Sequence, residues 1–328
     1  MRARLAFCVL LTVLGTAPAR AADCPPAHVL ASLDLVPQKN GTFLIPVTLA
    51  GTPRYFSLGT ASPMSTVTPA LAAELGLTRE HFGVTMINTA GHDTNRIATV
   101  PDFAVGNLKG TSEPFLIEPE PAGGDEAGTA DGPRRAGTLG ADFLRAYDVD
   151  LDFAARKMNL ISRDHCDGQI LFWKSELMTK VPMSVTDDNK IFLEMTLDGH
   201  QLDTILSTNT ARTSINLRVA KTVYDIGNDA PGNEPAGRLD DTSLYAHRFG
   251  ALAAGGLGVN NPEIVLLPDL VQDDARHLHP LRSNRRLNLR EPRLPDLLLG
   301  MSTLGQLHLY IAYGERALYI SPAAARPQ

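Results

Sequence analysis

The chain has 328 residues, with 44% hydrophobic, 20% charged and only 6% aromatic content, enough for one large domain or two ordinary ones, each with its own core. Thirty basic residues against 36 acidic ones give a net charge of −6, which argues against a nucleic-acid-binding protein. The 27 Gly and 23 Pro are too few and too scattered for a collagen-like or low-complexity chain, and beyond the extreme N-terminus no apolar run is long enough to span a bilayer.

The N-terminus opens with Arg2 and Arg4, continues through the apolar run Leu5 to Leu14, and reaches Ala19-Arg20-Ala21. A basic start, a short apolar core and a small-x-small cleavage site make a secretory signal peptide over residues 1–21. Asp23 before Cys24 excludes a lipoprotein cleavage site, which wants a small residue there. The chain is therefore expected to be periplasmic or secreted. Cleavage also removes Cys8 and leaves Cys24 and Cys166, a natural disulfide pair in an exported protein, with two unpaired buried thiols as the alternative.

An internal repeat organises the rest. The segment FLIPVTLAGTPRYFSLGT, starting at Phe43, aligns with IFLEMTLDGHQLDTILST, starting at Ile191, at a constant offset of 148 residues. Gly51 meets Gly199, Thr60 meets Thr208, and Ser65-Thr66-Val67 meets Thr213-Ser214-Ile215 without a gap. A second block aligns at an offset of 160: Leu139-Gly140 meets Leu299-Gly300, and Arg156 meets Arg316. Each copy predicts a hairpin around its glycine, a Thr-containing turn, a short helix (Pro69 to Leu75, Leu217 to Tyr224), then a Leu-Gly turn, one helical turn and a closing hairpin of period-two alternation. Two lobes follow, at 22–162 and 182–328, joined by residues 163–181. Pro119 to Gly137 and Gln272 to Pro295 predict surface loops, and Gly255-Gly256-Leu257-Gly258 predicts a hairpin turn because no helix pattern follows it. The fold class is all-β with few short helices.

On the anchors FSLGTASPMSTV, ILSTNTARTSINLRVA, GTLGADFLRAYDVDLDF and LLLGMSTLGQLHLYI, nearly the whole mature chain resembles the retropepsin-like aspartic peptidases of the duplicated, exported bacterial type. The resemblance implies one Asp-Thr-Gly turn per lobe, an apolar-apolar-Gly turn packed beneath it, and a water shared by the two aspartates. That chemistry needs two close carboxylates, one protonated and one a base. Here the motif falls on Gly59-Thr60-Ala61 and Ser207-Thr208-Asn209. Both catalytic aspartates are absent, while Thr60, Thr208, Leu139, Gly140, Leu299 and Gly300 remain.

No other carboxylate repairs the pair. Asp203 lies four residues upstream of Ser207, breaks the gapless register, and has Tyr55 as its first-lobe counterpart. Asp142, at the start of a helical turn, fits a capping role. Ser207 as a nucleophile would need an adjacent base, and no GxSxG elbow occurs. His277 and His279 after Asp273-Asp274 lack a third metal ligand, and Arg285, Arg286 and Arg290 read as a solubilising cluster. No metal or cofactor is expected. The sequence thus predicts an aspartic-peptidase-like scaffold with a degenerate reaction centre, binding a peptide or protein in its cleft. An active endopeptidase and a structural envelope protein with a collapsed cleft are the rival readings.

Overall fold

A computed structural model describes residues 25–87, 93–119, 133–171, 177–239, 241–268 and 295–323. Among them, 23 strands and four short helices confirm the all-β class. The signal segment, Cys24, most of the Pro119 to Gly137 and Gln272 to Pro295 stretches, and His277, His279, Arg285, Arg286 and Arg290 lie outside the described residues.

The two sequence offsets become one structural register. In the first lobe Phe43–Leu49 pairs with Thr52–Gly59, from Leu49 opposite Thr52 to Leu44 opposite Ser57. In the second, Ile191–Leu197 pairs with His200–Leu206, from Leu197 opposite His200 to Phe192 opposite Ile205. Both hairpins turn through two residues at positive φ, Ala50 (46°) and Gly51 (76°), then Asp198 (46°) and Gly199 (87°). A two-residue loop of this hand matches the twist of the strands it joins.

The second strand of each hairpin then runs parallel to a strand from the other sequence block. Leu58 and Gly59 lie beside Leu139 and Gly140, and Leu206 lies beside Leu299. The short helices follow as predicted. Pro69–Glu74 is capped by Thr68, whose hydroxyl accepts from Leu71 N at 3.2 Å. Leu217–Tyr224 is capped by Asn216, which accepts from Arg218 N at 2.9 Å, and ends on Asp225 in the left-handed region. The Gly255-Gly256 pair, at φ 56° and 89°, turns the hairpin between Ala251–Ala254 and Leu257–Asn260, as expected.

One expectation is corrected. The strand Arg135–Gly140 begins inside the stretch predicted as loop up to Gly137. Its start is fixed by Arg135, which forks onto Glu118 at 2.7 and 2.8 Å. Gly137 passes so close to the Thr66 carbonyl that a Cβ would lie 2.1 Å from its oxygen. The glycine that reads as a loop signal in sequence is a close-packed strand position.

The lobes share a sheet. The closing hairpin of the first lobe, Asp148–Asp152 with Lys157–Ile161, meets that of the second, Leu307–Ala312 with Ala317–Pro322. The central strands pair antiparallel, Val149 opposite Ile311 and Leu151 opposite Leu309. Val29–Asp34 and Thr179–Val185 extend the sheet on either side. Thr179–Val185 starts within the segment expected as the connection. Val149, Leu151, Leu309 and Ile311 are fully buried on one face, each contributing on the order of 2 kcal/mol of apolar burial.

Candidate functional site

The floor between the lobes rests on two glycines. A Cβ on Gly140 would lie 2.5 Å from the carbonyl carbon of Met64, and one on Gly300 would lie 2.5 Å from the carbonyl oxygen of Arg212. Only a residue without a side chain lets two backbones approach this closely. Gly140 N donates to Ser65 Oγ at 3.0 Å, and Gly300 N donates to Thr213 Oγ1 at 3.1 Å. A one-turn helix follows each glycine, Ala141–Leu144 and Met301–Leu304. Their first amides hold the loops above them, Ala141 N donating to Ser62 O and Met301 N to Thr210 O, both at 2.8 Å. Leu139 and Leu299 are buried beneath.

Above this floor the turns at Thr60 and Thr208 interlock. Thr60 Oγ1 donates to Leu206 O at 2.8 Å and accepts from Thr208 N at 3.1 Å. Reciprocally, Thr208 Oγ1 donates to Leu58 O at 2.5 Å and accepts from Thr60 N at 3.2 Å. Four bonds thus cross between lobes that are 148 residues apart in sequence, and the reciprocity is that of a pseudo-two-fold axis. Both threonines are buried, so each hydroxyl satisfies backbone groups that water cannot reach.

Gly59 and Ser207 flank this interlock, one residue before each threonine. Neither offers an ionisable group. A Cβ on Gly59 would lie 2.5 Å from Thr138 Cγ2 and 2.6 Å from Ser62 Oγ, so the space a first-lobe carboxylate would need is already filled. Ser207 is 1% exposed. Its hydroxyl donates to Asn209 Oδ1 at 3.1 Å and lies 2.8 Å from Thr210 Oγ1. Asn209 Nδ2 donates in turn to Ser62 Oγ at 3.2 Å. A neutral chain of side chains, Thr210, Ser207, Asn209 and Ser62, therefore runs from one turn to the other.

Ser62 and Thr210 are not singled out by the sequence reading, yet the signal is present: both carry hydroxyls, three residues past Gly59 and Ser207 and 148 apart. Ala61 and Asn209 stand where the motif has glycine, and neither is at positive φ, so the backbone accepts a Cβ at both.

The remaining carboxylates serve the scaffold. The capping role expected of Asp142 is corrected: Gly140 holds the N-cap position of this turn, without a side-chain cap bond, and Asp142 lies inside it. It accepts from Ser65 N at 2.9 Å, Ser65 Oγ at 2.8 Å and Phe143 N at 2.9 Å, tying the helical turn to the loop after Thr60. Burial pushes its carboxyl above the usual range against the pull of these bonds. In the second lobe Ser302 takes its place, accepting from Thr213 N at 2.9 Å. Asp203 sits mid-strand opposite Glu194, and its backbone N–H donates to Asp296 Oδ2 at 3.0 Å.

Cys166 is disulfide-bonded, whereas Cys24 lies outside the described residues. Among the described residues no cluster of His, Cys, Asp and Glu is arranged for a metal ion, and no helix is long and apolar enough to cross a membrane. A concavity of about 580 Å³ lies on the second lobe, lined among others by Pro182, Glu194, Gln201 and Ala253, and includes none of the turn residues.

Residues 45–143 match the family model described as aspartyl protease. No curated protein matches the chain in sequence. Overlaid solved structures include basic 7S globulin from soybean (8% identity, 90% of this chain and 95% of that one, TM-score 0.48), aspartic proteinase from Irpex lacteus (12%, 91% and 98%, 0.48) and conglutin gamma from lupine seeds (8%, 90% and 95%, 0.49). The chain is thus similar to the aspartyl protease family over residues 45–143, the segment that holds Gly59, Thr60, Leu139 and Gly140.

Proposed function

We propose that this is an exported, aspartic-peptidase-like protein that binds a peptide or protein between its lobes without cleaving it. One observation carries the reading. The interlock of Thr60 and Thr208 joins the two turns, while the positions that would activate water hold Gly59 and a buried Ser207 within a neutral hydrogen-bonded chain. Water activation requires a carboxylate that is ionised and a partner that is protonated, and hydroxyl and amide groups fill neither role near neutral pH. Backbone recognition of an extended peptide needs only strand edges and pockets.

The proposal includes a signal segment at 1–21, a disulfide between Cys24 and Cys166, and a mature protein in the periplasm or outside the cell, the setting in which such a pair persists. The test combines two measurements on the mature chain. Immobilised protein should retain unfolded peptides from a library and release them intact, whereas proteolysis of a casein-type substrate should be absent from pH 3 to pH 8. Intact capture supports the reading. Cleavage by the unmodified protein sinks it, and failure to retain any peptide favours a structural role. The double change Gly59→Asp with Ser207→Asp sharpens the result, since cleavage that needs both substitutions would show a peptide held in a productive pose.

A further inference from the structure

The neutral chain between the two turns has one exposed member. Asn209 is open to solvent, yet its side chain ends on groups that lie deeper. Its Oδ1 accepts from the hydroxyl of Ser207, which is 1% exposed, at 3.1 Å, and its Nδ2 donates to Ser62 Oγ at 3.2 Å. Ser62 Oγ in turn stands 2.6 Å from the point a Cβ on Gly59 would take. One amide therefore spans from the second-lobe hydroxyl at position 207 to the space beside position 59 in the first lobe.

That amide is only half used. A side-chain amide has two N–H donors and a carbonyl oxygen with two lone pairs. The bridge takes one donor and one lone pair, and among the described residues nothing else bonds the Asn209 side chain. One N–H and one lone pair are left on an exposed group. The balance holds whichever way the amide is turned. With its oxygen and nitrogen exchanged, Ser62 donates, Ser207 accepts, and the Ser207 proton passes to Thr210 Oγ1, 2.8 Å away.

The fold has little need of these bonds, because an exposed amide exchanges them for bonds to water at small cost. The lobes are held instead by the buried reciprocal bonds of Thr60 and Thr208. The spare groups also select among ligands. A carboxylate would use the N–H and leave its charge against the lone pair, and an ammonium would do the reverse. A peptide group offers a carbonyl to the one and an N–H to the other.

We propose that Asn209 reads the backbone of a bound peptide, donating to a peptide carbonyl and accepting from a peptide N–H, with Ser207 and Ser62 as the positioning residues that hold its amide. This assignment rests on the reading that a peptide binds between the lobes. It makes recognition at this point neutral and directed at the main chain, not at a charged end or side chain.

The probe is a tryptic digest of casein passed over the immobilised full mature chain, with retained peptides quantified by mass. Wild type should retain them. Asn209→Ala should weaken retention about tenfold, the loss of two neutral hydrogen bonds partly replaced by water, while moving the thermal midpoint by only about 2 °C. Asn209→Asp keeps the shape but, once ionised, offers acceptors alone. Its retention at pH 7 should fall at least as far. Relative to wild type at the same pH, most of that loss should be recovered at about pH 3.5, below the ordinary Asp value of about 3.9, where the acid again has a donor and an acceptor. Equal retention by wild type and Asn209→Ala overturns the assignment and leaves peptide binding standing. So does a loss in Asn209→Asp that is the same at both pH values, which decides the matter if Asn209→Ala fails to fold. A wild type that retains nothing removes the peptide-binding reading and the assignment with it.

Discussion

In the first lobe Gly140 lies against Met64 and Ser65, and in the second Gly300 lies against Thr210 and Arg212, with the same distances to within a few tenths of an ångström. A few residues away the likeness stops. Position 59 is a glycine hemmed in by Thr138 and Ser62, whereas position 207 is a buried serine bonded to Asn209 and Thr210. On the shared sheet the first lobe presents Asp148, Asp150 and Asp152 where the second, at the same offset of 160, presents His308, Tyr310 and Ala312. Backbone contacts that hold the lobes in register have stayed symmetric, and the side chains that carry charge or chemistry have not. Symmetry here belongs to the scaffold, because a change in one copy of a close backbone approach has no neighbour able to absorb it.

That contrast can be broken most severely at the glycines. Gly140→Ala and Gly300→Ala should each cost about 3 kcal/mol or more, since the new methyl meets backbone that cannot rotate away. Urea unfolding should find the two losses alike, and a tolerated alanine in either lobe would show that the floor is not symmetric. Thr60→Val and Thr208→Val come next. Each removes a hydroxyl that serves two buried backbone groups, for a loss of about 2–3 kcal/mol, and the double variant should depart from the sum because the two hydroxyls lie 3.4 Å apart in one network.

The asymmetric elements should give smaller effects. Burial raises the Glu118 carboxyl, but the hydrogen bonds and charge of Arg135 and the hydroxyls of Thr66 and Thr138 bring it below its ordinary value of 4.5. Its folded value is depressed, so its contribution is present above pH 4.5 and is lost as pH falls through the folded value. Arg135→Gln should therefore cost about 1–2 kcal/mol at pH 7, discounted for a pair partly open to solvent, and progressively less below pH 4.5. The smallest effect is expected from Asn209→Ala, about 0.5 kcal/mol by thermal unfolding, because Asn209 is exposed and its bonds compete with water.

Much of the scaffold was legible in the sequence because it rests on local rules. Two gapless offsets located the hairpins, and the pairs at Gly51 and Gly199 mark turns that demand positive φ. The helix Leu217–Tyr224 has the bounds its place in the repeat predicts. What escaped was non-local. Gly137 reads as loop because nothing nearby in sequence announces the Thr66 carbonyl beside it. Ser62, Thr210 and the bridge through Asn209 depend on two turns meeting across 148 residues. The acidic run at Asp148 looks like an exposed strand face until His165 and His308 cover it.

The shared sheet also sets a timetable for the chain. The strand Asp148–Asp152 emerges from the ribosome about 160 residues before its partner Leu307–Ala312, which at 5–20 residues per second is a delay of roughly 10 to 30 s. Through that interval the first lobe can close its own hairpins but not its last edge, where Val149 and Leu151 present an apolar strand with unpaired backbone groups. Pairings this distant in sequence form late and slowly. A nascent chain with such an open edge needs a partner or a holding factor until the C-terminal hairpin arrives, and a chain truncated before Leu307 would keep that edge permanently.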